Sequence, residues 1–169
     1  MGLRGELMKI QVQGLDEYAL MLSKLGDRSR AVAGMATYEG AKVVADAIKD
    51  KLQSLPTVND AYNRLAYKKY KSKLSATQKK GLVSSFGISK ITDENGYRYV
   101  KVGFDGYNGI KTKKYPQGQP NILVARIVEN GSSYMDATPF IKPAVNQSKA
   151  KAQEAMARVI EEEIQKIMK

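Results

Sequence analysis

The last third of the chain, residues 120–169, constrains the fold most, because it is typical of two helices joined by a proline-bounded turn. Apolar residues recur at helical spacing from Asn121 to Val128, and Gly131 follows where a glycine C-cap would end a helix. Pro143 suits the first turn of a second helix, since its fixed φ fits there and its missing N–H needs no partner. That helix carries an apolar stripe at intervals of three and four residues, made up of Ala152, Ala155, Met156, Val159, Ile160, Ile164, Ile167 and Met168.

The first third of the chain predicts one strand and two helices. Residues 8–13 alternate apolar and polar side chains, as a half-buried strand does. A short helix is expected over residues 16–25, with Gly26-Asp27 as the break after it. A longer amphipathic helix is expected over residues 28–55, and Pro56 would end it, since proline cannot continue the backbone hydrogen bonding.

The centre of the chain predicts a short helix followed by a β-hairpin. Residues 78–85 favour the helix, and residues 86–91 alternate as a strand. The run Asp93-Glu94-Asn95-Gly96 is a hairpin turn signal, and residues 97–104 would return as the partner strand. We therefore expect a single α+β domain over residues 1–169, in which two long amphipathic helices pack on a small antiparallel sheet.

Positive charge is concentrated in one stretch of the chain. The net charge is +11, and no acidic residue occurs between Ala61 and Thr92. Residues 57–77 within this region predict an extended basic arm or loop. Two interpretations remain open, a solvated arm or a surface that binds DNA or an acidic partner without reading sequence. The candidate contact residues are Arg64, Lys68, Lys69, Lys71, Lys73, Lys79 and Lys80.

The amino-acid composition excludes several functional classes. The chain contains no histidine and no cysteine, which removes Ser-His-Asp hydrolases, thiol nucleophiles and most zinc sites. Asp93, Glu94 and Asp105 do not have the spacing of a calcium loop, so ordinary turn chemistry is the expectation for them. We expect neither enzymatic activity nor a cofactor or metal. No apolar run near 18 residues predicts a membrane span, and the N-terminus lacks the apolar core of a signal peptide, which predicts a protein made in a cytoplasm.

Two motifs in the last third carry a resemblance to a known family. They are Val128-Glu129-Asn130-Gly131-Ser132-Ser133 and Thr138-Pro139-Phe140-Ile141-Lys142-Pro143-Ala144. With the order of elements along the chain, they resemble the HK97 gp10-like family of tail-completion or head–tail joining proteins of tailed phages. Residues 78–88 and 103–108 are similar to versions found in prophages of Gram-positive bacteria. The segment 57–75 departs from the family, many members of which have a short turn there.

The resemblance implies an α+β subunit that assembles into a ring, often hexameric, at the head-proximal end of a tail. Its partners would be further copies of the chain and the tail-tube or head-connector proteins. The basic arm would suit a ring whose lumen passes DNA, with non-specific contact to that DNA, or a ring in which the arm clasps a neighbouring copy. Its location would be the virion, after assembly in the bacterial host cytoplasm. The alternative from the residues themselves is a sequence-independent DNA-binding protein that uses residues 61–92.

Four residues of the two motifs are candidates for the core or for a subunit interface. Phe140 is expected to be an anchor in one of these two places. Pro139 and Pro143 are expected to fix the turn into the last helix. For Glu129 three roles remain open, a helix cap, an ion pair across subunits or a plain position on the surface.

Overall fold

The computed structural model describes residues 15–66, 71–95 and 97–168. Long helices that pack on each other and short antiparallel strands confirm the predicted α+β class. In chain order the elements are α1 (Leu15–Ser54), α2 (Asp60–Ala66), α3 (Ala76–Ser85), β1 (Phe86–Ile88), β2 (Thr92–Glu94), β3 (Tyr97–Tyr99), β4 (Val102–Phe104), α4 (Asn121–Asn130) and α5 (Ile141–Met168).

Helix α1 runs without interruption for 40 residues, or about 60 Å. The predicted break at Gly26-Asp27 is therefore wrong. A glycine inside a helix costs only about 1 kcal/mol relative to alanine, which a long helix with a packed face absorbs. The helix ends at Ser54, ahead of Pro56 as predicted. The strand predicted over residues 8–13 lies outside the described residues.

Helices α1 and α5 form the most extensive contact between any two elements of the described chain. Gly40 of α1 lies directly against α5. A methyl group at Gly40 would be 2.7 Å from Cγ of Met156 and 3.5 Å from the carbonyl oxygen of Ala152. The missing side chain at this position therefore allows the two helices to approach closely.

The predicted hairpin forms, but its ladder is interrupted. β1 pairs antiparallel with β4, with Phe86 opposite Phe104, and β2 pairs with β3 around a turn in which Asn95 has a φ of 53°. Between the two pairs, the Lys101 N–H donates to the Ser89 hydroxyl at 2.9 Å. A side chain thus replaces a backbone acceptor at that point, and the predicted strands over 86–91 and 97–104 are each divided in two.

The core lies where the C-terminal end of α1 meets α3, α4 and the start of α5. Its largest fully buried hydrophobic side chains are Leu52, Leu82, Val128 and Phe140. Each belongs to a different part of the chain, so the core joins the first helix to the last third. The two family-like motifs lie at this meeting point.

Of the two forms expected for segment 57–77, an extended arm or a loop, its described part adopts the loop. It contains the short helix α2, and its ends are tied to each other, since the Val58 N–H donates to the Leu74 carbonyl at 3.0 Å. The Asn63 amide bonds to both backbone groups of Lys73. In its described part the segment is therefore a closed loop, because an amide side chain supplies hydrogen bonds that a sequence pattern does not reveal. Residues 67–70 lie outside the described residues.

Candidate functional site

One buried carboxylate holds the start of α5. Oε2 of Glu129, near the end of α4, accepts the N–H groups of Phe140 at 2.7 Å and Ile141 at 2.8 Å, and Oε1 accepts the N–H of Lys142 at 2.9 Å. The Glu129 residue is only 7% exposed. The first N–H groups of a helix have no partner within it, and the N-terminus attracts negative charge. Glu129 therefore caps α5, which is the first of the three roles that the sequence left open for it, and its burial contradicts the surface role.

Two opposing effects set the pKa of Glu129. Burial of the carboxyl raises its pKa, but the hydrogen bonds from Ile141, Lys142 and Phe140 and the positive charge of Lys142 together lower it by more. The net pKa lies below the ordinary value for glutamate. The cap is therefore ionised at neutral pH, the state in which both oxygens accept hydrogen bonds.

The turn between α4 and α5 brings the two family-like motifs into one unit. Gly131 follows α4 with a φ of 75°, a conformation that favours glycine, and its N–H donates to the Ile127 carbonyl at 2.7 Å. The Thr138 N–H then donates to the Val128 carbonyl at 2.7 Å. Residues 128–133 and 138–144 are thus joined by one backbone hydrogen bond, from Thr138 to Val128, as well as by the Glu129 cap.

Phe140 is an anchor of the hydrophobic core. It is 1% exposed, and its ring meets Phe104 edge-on with 6.2 Å between ring centroids. The Phe104 ring in turn lies 5.0 Å from that of Phe86, which connects α5 to the sheet. Pro139 is exposed, while Pro143 is partly buried in the first turn of α5, as predicted.

The basic residues predicted to contact DNA or a partner differ in how free their side chains are to make that contact. The Lys71 ammonium forms an ion pair with Asp136, and the Lys73 ammonium lies 6.0 Å from the centroid of the Tyr62 ring. Lys80 is exposed. The side chain of Arg64 and the whole of Lys68 and Lys69 lie outside what the structure describes.

Lys79 has a structural role that the sequence did not indicate. Its ammonium donates to the carbonyl oxygens of Gln53 and Leu55, each at 2.7 Å. These carbonyls lie at the C-terminal end of α1, where cations are favoured because the last carbonyls of a helix lack partners within it. No local signal could have revealed this contact, since the partners are 24 and 26 residues away along the chain.

We predict that Lys79→Met lowers the free energy of unfolding by about 1–2 kcal/mol, because two carbonyls at the end of α1 lose a charged donor. Urea unfolding followed by circular dichroism measures the change. Lys80→Met is the matched control, since it removes the same charge one residue along the helix from an exposed side chain. Equal effects of the two substitutions would contradict the capping role.

A second organised region is the basic loop between β4 and α4, residues 105–120. Its base is closed by hydrogen bonds from the Asn108 N–H to the Gln119 carbonyl at 2.9 Å and from the Gln119 N–H to the Ile110 carbonyl at 3.0 Å. The Gln78 amide of α3 donates to Oε1 of Gln119 at 2.9 Å. Asn121, at the start of α4, donates from its side chain to the Asp105 carbonyl at 2.9 Å. Side-chain amides, of which that of Asn121 is buried, thus fix this loop to two helices.

The acidic residues near the hairpin do not form a metal site. Asp93 pairs with Arg98 at 3.2 Å, Glu94 accepts the Tyr99 hydroxyl at 2.7 Å, and Asp105 accepts the Gly106 N–H at 2.7 Å. Over residues 15–66, 71–95 and 97–168, no group of three or more acidic, histidine or cysteine side chains is arranged to hold a metal ion. In the same part of the chain, no helix combines the length and apolar character that crossing a membrane requires.

No protein-family model, curated protein or solved structure matches the chain.

Proposed function

We propose that this chain is a structural virion protein of a tailed phage or prophage particle. Its role is that of a tail-completion, tail-terminator or neck-ring component that joins the tail to the head connector. The observation that carries the proposal is the Glu129 cap, since it joins the two motifs of the resemblance through three hydrogen bonds to the start of α5. The role is non-catalytic and needs no cofactor.

Apolar side chains left exposed on the two long helices support an assembling subunit. Met35 is 40% and Tyr38 37% exposed on α1, and Val145 is 38% and Ile160 39% exposed on α5. A ring closes through contacts between two different surfaces of each subunit, which the two ends of an elongated helix pair can supply. The ring would assemble in the host cytoplasm, enter the virion and surround DNA in its lumen.

Light scattering on the full chain tests this proposal. We expect a discrete ring-sized mass, either for the chain alone at low and moderate salt or after addition of tail-tube or connector protein. A strict monomer that binds none of these proteins would overturn the proposed role.

A pair of matched double variants locates the subunit contact. Met35→Glu with Ile160→Glu is expected to dissociate the ring while circular dichroism shows unchanged helix content, because charges cannot be buried unpaired in an interface. The control, Gln147→Glu with Gln153→Glu, adds the same charge at exposed positions of α5. If both pairs leave the mass unchanged, the contact lies elsewhere, and if both abolish the ring, added charge alone is responsible.

A further inference from the structure

The basic loop presents a cluster of lysines at its tip, which we call the lysine tip and which consists of Lys111, Lys113 and Lys114. All three are exposed, and the sequence contains no acidic residue from Gly106 to Val128. Among the described residues none of the three forms an ion pair, although the Lys114 ammonium lies 5.5 Å from the centroid of the Tyr115 ring. The positive potential of the tip is therefore not compensated locally.

Hydrogen bonds hold the lysine tip in one conformation. Thr112 and Tyr115 each donate their N–H to the other's carbonyl at 3.1 Å, and the Gly118 N–H donates to the Tyr115 carbonyl at 3.1 Å. Gly118 has a φ of 118°, and a methyl group there would be 2.0 Å from the Asn108 carbonyl oxygen. The backbone that carries the lysines is thus ordered before any ligand binds, which reduces the entropy cost of binding.

We propose that the lysine tip binds the phosphate backbone of duplex DNA without reading its sequence. Clustered lysines neutralise phosphates and release condensed counterions, which supplies the affinity of non-specific binding. An acidic protein surface is the less favoured partner, because lysine is depleted at the centres of protein interfaces, where aromatic residues and arginine dominate. The basic segment 61–92 contributes less, since Lys71 and Lys79 already contact Asp136 and the end of α1.

The proposed DNA contact is independent of the ring role. Duplex binding by the isolated chain needs no tail-tube or connector protein, so either proposal can fail while the other stands. If both hold, the lysine tip is the part of the subunit that faces the lumen of the ring.

Fluorescence anisotropy with a labelled duplex of random sequence tests the lysine tip, over a salt range of about 50 to 200 mM. The test protein carries Lys111→Gln, Lys113→Gln and Lys114→Gln together. The control carries Lys49→Gln, Lys149→Gln and Lys151→Gln, which remove the same charge from exposed positions on α1 and α5. Thermal melts verify that both variants fold.

We expect the lysine-tip variant to bind the duplex at least about 10-fold more weakly at moderate salt. The slope of the logarithm of affinity against the logarithm of salt should fall by about 0.9 for each lost phosphate contact, or up to about 3 in total. The control should retain its slope and most of its affinity. These results would establish the tip as the contact rather than the net charge of the protein.

Three outcomes would overturn the proposal. The first is no duplex binding by the unmodified chain at about 50 mM salt, where electrostatic binding is strongest. The second is an equal loss in both variants, which would reflect overall charge alone. The third is polyglutamate of matched charge binding the tip as tightly as the duplex does, which would make it a site for an acidic protein.

Discussion

Phe140→Ala is expected to lower the free energy of unfolding by about 3–5 kcal/mol, the largest effect that we expect from a single substitution. The Phe140 side chain is almost fully buried and links α5 to the sheet through its edge contact with Phe104. Truncation to alanine loses the free energy gained by moving the ring out of water, and it also loses the van der Waals contacts between the ring and its neighbours. Urea unfolding at neutral pH, under conditions where the protein is a single species, measures the change.

Two further substitutions separate packing at Phe140 from a general effect of losing an apolar side chain. Phe140→Leu retains most of the volume and should cost about 1.5 kcal/mol or less. Ile122→Ala removes an apolar side chain that is 57% exposed, and should change stability by about 0.5 kcal/mol or less. If Phe140→Ala costs no more than Ile122→Ala and instead only dissociates an oligomer, Phe140 is an interface residue and not a core anchor.

Glu129→Gln is expected to cost about 2–3 kcal/mol, because an amide cannot accept three N–H groups as the carboxylate does. Its NH2 group would face a backbone N–H, leaving a buried donor without a partner, and the favourable charge at the start of α5 would be lost. For a chain of this size the melting temperature should fall by about 4–12 °C. Glu162→Gln, which removes a charge from an exposed position on α5, is the control, and similar losses for the two would contradict the cap.

The same cap gives the stability of the protein a defined pH dependence. Because the hydrogen bonds hold the pKa of Glu129 below its ordinary value, the folded state favours the ionised form more than the unfolded chain does. This contribution is fully present above the unfolded pKa of about 4.3, and it is lost as pH falls through the lower folded pKa. The stability difference between the unmodified protein and Glu129→Gln should therefore shrink as pH falls from about 5 to below the folded pKa of Glu129. A difference that stays constant over this range would show that ionisation of Glu129 does not contribute.

Features encoded in neighbouring residues could be predicted from the sequence. Pro56, Gly131 and Pro143 act through their own backbone geometry, so the ends of α1 and α4 and the start of α5 were predictable. Helix α3 was predicted to begin at residue 78 but begins at Ala76, because Ser75 and Gln78 form a local capping box. In each case the signal and its partner lie within one helical turn.

Features that depend on distant partners could not be predicted. The Lys79 contact with α1 spans 24 and 26 residues, and the Gln78–Gln119 hydrogen bond spans 41. A charge or an amide in the sequence does not specify which distant backbone or side-chain group will lie near it after folding. The helix break predicted at Gly26 was wrong for a different reason. The cost of about 1 kcal/mol for a glycine inside a helix suggested a break in the sequence pattern, but it is too small to interrupt a packed 40-residue helix.

The Glu129 cap also has a consequence for the direction of α5. The helix is 28 residues long, or about 42 Å, so a tilt of about 10° at its start would displace its far end by about 7 Å. The carboxylate fixes the starting point, and the close approach at Gly40 and Met156 fixes a second point near the middle. Because two points along the helix are fixed, these contacts together set the direction of α5 and the position of its far end.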